Sequence, residues 1–403
     1  MTATRTTERK TALAIASATI LALAIGAGAA LPAQASSPEG RVLHAGAAEA
    51  VPGSYIVTLK QTSGFKASTA EGKRLIADHG GRITRTYTSA LNGYAATLSG
   101  TAARRLAADP AVASVEQDQK VHATGTQTGA PWGLDRIDQA NLPLNGTYTY
   151  PDTAGGGTTV YVLDTGVRIS HQQLGGRASY GYDFVDNDAV AQDGAGHGTH
   201  VATTVAGTTY GVAKKAKIVA VRVLDNNGSG TTAGVIAGVD WITANHMASS
   251  VANVSLGGGP STALDDAVRR SIASGVTYSI AAGNSGAPAS GYSPARVETA
   301  ITVGATTRTD ARAGYSNYGP VVDIFAPGSD ITAGWNTSDT ATYTGSGTSF
   351  AAPHVSGAAA VYLTNHPGAS PAAVATALVN GATSNVLTGV GTGSPNKLLK
   401  LVP

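Results

Sequence analysis

Three short segments carry residues able to make an acyl-transfer site. Ser349 sits in Gly347-Thr348-Ser349-Phe350-Ala351-Ala352-Pro353-His354, between a glycine-bearing turn and an apolar run that reads as a helix. His197 is framed by glycines in Gly196-His197-Gly198-Thr199-His200, and Asp164 ends an apolar run in Val162-Leu163-Asp164-Thr165-Gly166. A serine hydroxyl becomes a useful nucleophile only when a neighbouring base takes its proton, and a neutral imidazole does that near pH 7. A carboxylate on the other ring nitrogen fixes the tautomer and stabilises the imidazolium. A serine at a helix start offers its backbone N–H to a developing oxyanion, and Asn284 follows an apolar run in Ala281-Ala282-Gly283-Asn284. Singly, each motif has an ordinary reading. Asp-Thr-Gly is a common turn, an asparagine after a strand is often a cap, and His197 and His200 are compatible with helix-entry residues. A zinc pair at helical i, i+4 spacing is excluded because the two histidines lie three apart and no HExxH string exists.

Elements that position these groups follow from the apolar pattern. Short apolar runs at Val160 to Leu163, Ile218 to Leu224, Val251 to Leu256, Val276 to Ala281 and Ala300 to Val303 alternate with helical segments. Such alternation predicts a parallel sheet covered by helices on both faces, with the chemistry at the carboxyl ends of the strands. Asp164, Ser255 and Asn284 fall at those ends. Upstream, Ser54 to Lys60 reads as a strand, Ser68 to His79 as a helix, Ile83 to Tyr87 and Tyr94 to Leu98 as strands flanking Asn92-Gly93, Thr101 to Ala108 as a helix, and Ala111 to Val115 as a strand. That is the pattern of a small α+β domain.

The chain of 403 residues, 42% hydrophobic, is long enough for a sizeable core and more than one folding unit. Arg5, Arg9 and Lys10 precede an uncharged run from Thr11 to Leu31 and then Ala33-Gln34-Ala35, the pattern of a secretory signal; a membrane anchor is the competing reading of this weakly apolar run. The absence of cysteine excludes disulfides and a thiol nucleophile. Residues 1 to 122 carry +5 and the remainder −3, which gives no electrostatic case for a nucleic-acid partner. The uncharged stretch from Ala123 to Gly129 reads as an exposed, cleavable linker. Lys214, Lys215 and Lys217 read as a solvated face, and His171, His246, His354 and His366 as surface or turn histidines.

The order Asp, His, Ser, together with these strings across about Trp132 to Leu363, resembles the subtilisin-like serine proteases, and within them the proteinase K group. The resemblance implies a three-layer α/β catalytic domain with a mostly parallel central sheet, preceded by a ferredoxin-like α+β prodomain. It divides the chain into a signal peptide (1–35), a prosegment acting as chaperone and inhibitor (36–123, core about 50–122) and a catalytic domain (124–403). It implies a secreted, monomeric endopeptidase that removes its own prosegment and cleaves proteins and peptides, with no nucleic-acid partner and no stable membrane association. Asp164, His197, Ser349 and Asn284 would be catalytic. A substrate strand would pair between Gly228-Ser229-Gly230 and Ser255-Leu256-Gly257. Gly257, Ala281, Ala282 and Gly283 would leave a roomy, uncharged pocket for apolar or aromatic P1 side chains. No cofactor is expected for catalysis; a structural calcium is expected at the carbonyls of Glu298 and Ala300 and the carboxylate of Asp323. Phe350, Thr203 and Thr232 depart from the family wording, which more often has methionine, glycine and tyrosine there. Two rival readings stay open: a binding scaffold or inhibitor that keeps the fold, and an acyl hydrolase acting mainly on esters.

Overall fold

The computed structural model describes residues 38–47, 50–61, 64–121 and 124–402. The signal segment 1–35, and His122 and Ala123 where processing is expected, lie outside the described residues. The chain forms two compact units, the smaller built on residues 57–115 and the larger on residues 116–402, with 43–56 counted in the larger.

In the N-terminal part, β1 (Ala50–Leu59), α1 (Ala70–Asp78), β2 (Arg82–Tyr87), β3 (Gly93–Thr97), α2 (Gly100–Ala107) and β4 (Val112–Gln119) give a four-stranded sheet of order β2-β3-β1-β4. Both helices start at hydroxyl caps, Thr69 accepting from the Gly72 N–H and Ser99 from the Ala102 N–H. Asn92 does more than turn the chain: its side chain accepts from the Ala67 N–H at 2.8 Å and donates to the Phe65 carbonyl at 3.0 Å.

The stretch expected to be a linker is instead a strand. β5 (Thr124–Thr128) pairs antiparallel with β6 (Thr147–Pro151), on either side of α3 (Trp132–Ile137). Alternating threonines suit a half-exposed edge, so polarity alone did not distinguish strand from loop here.

The large sheet takes β7 (Thr159–Asp164), β8 (Ala178–Asp183), β9 (Lys217–Arg222), β10 (Ser250–Val254), β11 (Thr277–Ala281), β12 (Ile301–Thr306), β13 (Ile324–Pro327), and the short β16 (Thr383–Ser384) and β17 (Lys397–Leu398). Its order is β16-β17-β13-β12-β11-β10-β7-β9-β8, and all pairings from β13 to β8 are parallel. The helices are α4 (His197–Ala206), α5 (Thr232–Asn245), α6 (Thr262–Ala273), α7 (Thr348–Asn365) and α8 (Pro371–Gly381); a hairpin of β14 (Ile331–Gly334) and β15 (Thr342–Gly345) precedes α7.

Strand β7 shows why its run is uninterruptedly apolar. Val160 and Val162 face one core with α4, α7 and α8, while Tyr161 and Leu163 face another with α5 and α6. From β7 the chain moves through β8 and β9 on one side, then crosses to β10 on the other. That reversal opens a crevice beyond the carboxyl ends of β7 and β10, where Asp164 and Ser255 stand.

Candidate active site

Asp164, the last residue of β7, is fully buried. Its Oδ1 accepts from His197 Nδ1 at 2.7 Å and from the Thr165 N–H at 2.7 Å, while its Oδ2 is buried and has no partner among the described residues. His197 opens α4, and two glycines let it approach. Gly196 has φ 105°, and a Cβ there would overlap the Trp335 ring at 2.2 Å. A Cβ on Gly198 would lie 2.0 Å from the Gly166 carbonyl oxygen, so only glycine lets the helix start against the turn that follows Asp164.

With Nδ1–H committed to Asp164, the neutral ring keeps Nε2 free to accept a proton. Burial pulls the His197 pKa down, but the charge and hydrogen bond of Asp164, with the charge of Asp193, more than offset this and leave it above the usual 6.5. His200 is different: buried, donating from Nε2 to the Ile331 carbonyl at 3.0 Å, it is driven by desolvation to about 3 and stays neutral. Phe350 packs between the two rings, with centroids 5.4 Å from His197 and 4.3 Å from His200.

Ser349 is the second residue of α7, so its N–H has no acceptor within the helix. Its hydroxyl donates to the Ser255 carbonyl at 3.1 Å, and the Ser255 hydroxyl donates to the Ser349 carbonyl at 2.8 Å. Pro353 explains the second bond. It is the sixth residue of α7, inside the helix and beyond the first turn, and its missing N–H frees the carbonyl four residues back. Ser255 takes that carbonyl and is itself held by Asn253, whose Oδ1 accepts from Ser356.

Asn284 is exposed three residues after β11. Its Oδ1 accepts both the N–H (2.8 Å) and hydroxyl (2.9 Å) of Thr348. This assigns the amide orientation and leaves Nδ2, with no acceptor among the described residues, beside the turn that bears Ser349.

Gly228, Ser229, Gly230, Ser255, Leu256 and Gly257 all line one cleft of about 610 Å³ together with His197, and no Asp, Glu, Lys or Arg lines it. Ala281 and Ala282 are buried and the Gly283 N–H donates to the Thr348 hydroxyl at 3.1 Å, so these three stand behind the turn that bears Ser349 and do not line that cleft. Thr203 ties α4 to β14 by accepting from the Gly334 N–H at 2.8 Å. Asp323 is the expected calcium carboxylate; its Oδ2 accepts from the Thr302 N–H at 2.8 Å, and desolvation pushes its pKa to about 6. No ion pair neutralises it among the described residues.

Three readings of exposure need correction. His171 and His354 are buried, not superficial, the first bonded through Nε2 to the Ala341 carbonyl and the second through Nδ1 to the Phe350 carbonyl of its own helix. Lys214 is half-buried, donating to the Thr208 and Gly211 carbonyls beside the Tyr148 and Tyr150 rings, and desolvation lowers it to about 7. Sequence reasoning also missed Asp193 and Asn253, whose only signal is a polar residue inside or next to a motif.

Residues 155–397 match the model of the subtilase family, and residues 54–124 that of the peptidase inhibitor I9 family. An extracellular serine proteinase of Thermus sp. (strain Rt41A) is 51% identical over 91% of this chain and 94% of its own. A cuticle-degrading serine protease of Arthrobotrys oligospora is 43% identical over 90% of this chain and 94% of its own. A crystal structure of a cold adapted subtilisin-like serine proteinase is 53% identical, with a TM-score of 0.67 over 68% of this chain and all of that one. The parallel sheet with helices on both faces, the inhibitor-type N-terminal region and these likenesses agree: the chain belongs to the subtilase family of serine proteinases, with an I9-type prosegment.

Proposed function

We propose that the chain is an extracellular endopeptidase in which Ser349 attacks the scissile carbonyl, His197 shuttles the proton, and Asp164 orients and stabilises the imidazolium. The observation that carries the reading is the 2.7 Å bond from His197 Nδ1 to the buried Asp164, which leaves Nε2 as the proton acceptor. His197 delivers the proton to the leaving amine, and water then hydrolyses the acyl-enzyme by the same route. The oxyanion is held by the Ser349 N–H and Asn284 Nδ2. Extracellular location is supported by the name of the Thermus relative and by the signal-like start of the sequence. Self-removal of the prosegment is supported by the I9-type match.

The polypeptide substrate lies as a strand between Gly228-Ser229-Gly230 and Ser255-Leu256-Gly257, bound by backbone groups and therefore with broad sequence tolerance. Gly257 lines that uncharged cleft, and Ala281, Ala282 and Gly283 beside the Ser349 turn are small and uncharged, so a charged P1 group would lose solvation without a partner. Peptide anilides differing only at P1 are expected to rank Phe and Leu above Lys and Asp in kcat/KM by at least about tenfold. Equal rates across the series would refute the apolar P1 preference, and cleavage of matched esters alone would refute the endopeptidase reading.

Asn284→Ala is expected to lower kcat by roughly 10²- to 10³-fold with KM little changed, because Nδ2 is engaged only by the charge of the tetrahedral intermediate. A rise in KM at constant kcat would instead make it a substrate-binding residue.

Calcium fits the region of Asp323. A half-buried carboxylate with no cation beside it among the described residues is poorly solvated, and a hard cation held also by the Glu298 and Ala300 carbonyls would supply the missing charge. The ion's contribution would be structural. Because burial raises the Asp323 pKa, the metal-free fold binds more protons than the unfolded chain between about pH 4 and 6 and loses stability as pH rises through that window. Calcium, which needs the deprotonated form, should raise Tm at pH 8 but hardly at pH 5. At a hundred times Kd the gain is about 2.7 kcal/mol. Thermal scans with calcium or chelator should show the difference for the wild type and most of it gone in Asp323→Asn; an undiminished difference in the variant places the ion elsewhere.

A further inference from the structure

Asp193 belongs to none of the motifs, yet its carboxylate is the most heavily bonded group near His197. It is buried, and Oδ1 accepts from the Thr165 hydroxyl (2.9 Å) and the N–H groups of Ala195 (2.9 Å) and Gly196 (2.7 Å). Oδ2 accepts from the N–H (2.9 Å) and the hydroxyl (2.5 Å) of Thr199. The Thr165 oxygen in turn accepts from the Gly198 N–H at 2.9 Å. Asp193 and Thr165 therefore clamp the turn bearing Asp164 to the first residues of α4, with His197 between the clamped positions. No ion pair neutralises Asp193 among the described residues.

We propose that Asp193 is a positioning residue for His197: it locks the start of α4 onto the Asp164 turn and adds a second fixed negative charge that favours the imidazolium. This rests on the assignment of His197 as the base. The charge argument is local. Besides Asp193 from the loop before α4, the ionisable groups around the ring are Asp164 from β7, His200 on α4 itself, and His354 from α7 near His200. Both of those histidines are held neutral by burial, at about 3 and about 4, so only the two aspartates bias the ring. A mere N-cap would stabilise the helix without touching the titration of the reaction. A charge acting on His197 must shift it, since the reaction needs the neutral ring and any loss of negative charge makes that ring easier to deprotonate.

The experiment is the pH dependence of kcat/KM for a peptide anilide, measured on folded, matured wild type, Asp193→Asn, Thr165→Val and Thr165→Ser. The wild-type acid limb should fall above pH 6.5. Asp193→Asn keeps much of the hydrogen bonding but loses the charge; its limb should move down by about half a unit or more, with kcat reduced roughly tenfold. Thr165→Val breaks the clamp without altering charge, so kcat should fall while KM and the limb hold, and Thr165→Ser should restore kcat. An unmoved limb in folded Asp193→Asn beside a normal wild-type limb overturns the proposal alone. If Asp193→Asn does not fold, the Thr165 pair decides: full kcat in Thr165→Val overturns the clamp, and loss with recovery in Thr165→Ser supports it. A wild-type profile without a limb between about pH 5 and 8, with His197→Ala still active, removes His197 as the base and Asp193's role with it.

Discussion

Ser349→Ala is expected to lose on the order of 10⁶ in kcat and to leave the precursor uncut. The methyl group fits where the hydroxyl was, and the hydroxyl's one bond, to the Ser255 carbonyl at 3.1 Å, is partly solvent-facing, so the fold should be retained. What disappears is the hydroxyl proposed to attack. Binding of the peptide strand and the oxyanion donors survive, which should leave a residual rate roughly 10³ to 10⁴ above water. His197→Ala should cost about as much, and the double variant little more, because the two act as one unit. The decisive measurement is the mass of the expressed precursor beside its casein-digesting activity. Wild type should shed a fragment ending between about His122 and Gly125, whereas the variant stays intact and inert. A variant that is still trimmed identifies another protease as the processing agent; a wild type that is folded with calcium, intact and inactive returns the chain to the scaffold reading.

What could be read from the sequence here, and what could not, follows from the range of the interactions involved. The strands of the large sheet were legible because a strand buried on both faces reads as an uninterrupted apolar run, as residues 160–163 do within Thr159–Asp164. Asp164, His197, Ser349 and Asn284 were legible because their surroundings are local: glycines, strand ends and a helix start within a few residues. Asp193 was not. Its importance comes from a hydroxyl 28 positions earlier, and an aspartate before a helix is common enough to read as a cap. Buried His171 failed for the same reason. His171 is paid for by a carbonyl at Ala341, 170 positions away, and nothing near it in the chain announces that partner. The polar strand β5 was misread because its partner, β6, lies beyond α3, and edge strands carry little apolar signal.

Asp164→Asn should be the most damaging change after the loss of Ser349 or His197, lowering kcat on the order of 10⁴-fold. Both the Thr165 N–H and His197 Nδ1 converge on Oδ1, while Oδ2 is buried without a partner among the described residues. An asparagine therefore has two placements. With its oxygen at the Oδ1 position it keeps both hydrogen bonds and the ring tautomer, but buries an unpartnered amide nitrogen and removes the charge facing the imidazolium. Flipped, it opposes an N–H to the Thr165 N–H and forces His197 to carry its proton on Nε2, where it cannot act as base. Leaving a buried donor unsatisfied costs about 1–3 kcal/mol, less than two N–H groups facing each other in a site closed to water, so the first placement should dominate. The loss is then chiefly electrostatic. Burial, the largest influence on His197, would go largely unopposed, since only Asp193 would still favour the protonated ring, and the acid limb of kcat/KM should move below its wild-type position. KM should change little, because Asp164 is buried out of reach of substrate. A pH profile of the matured variant, obtained by supplying active enzyme in trans to cut the prosegment, separates the cases. A weak enzyme with a lowered acid limb means charge loss; a limb at its wild-type position with kcat nearly intact would show that Asp164 does not act on His197 at all.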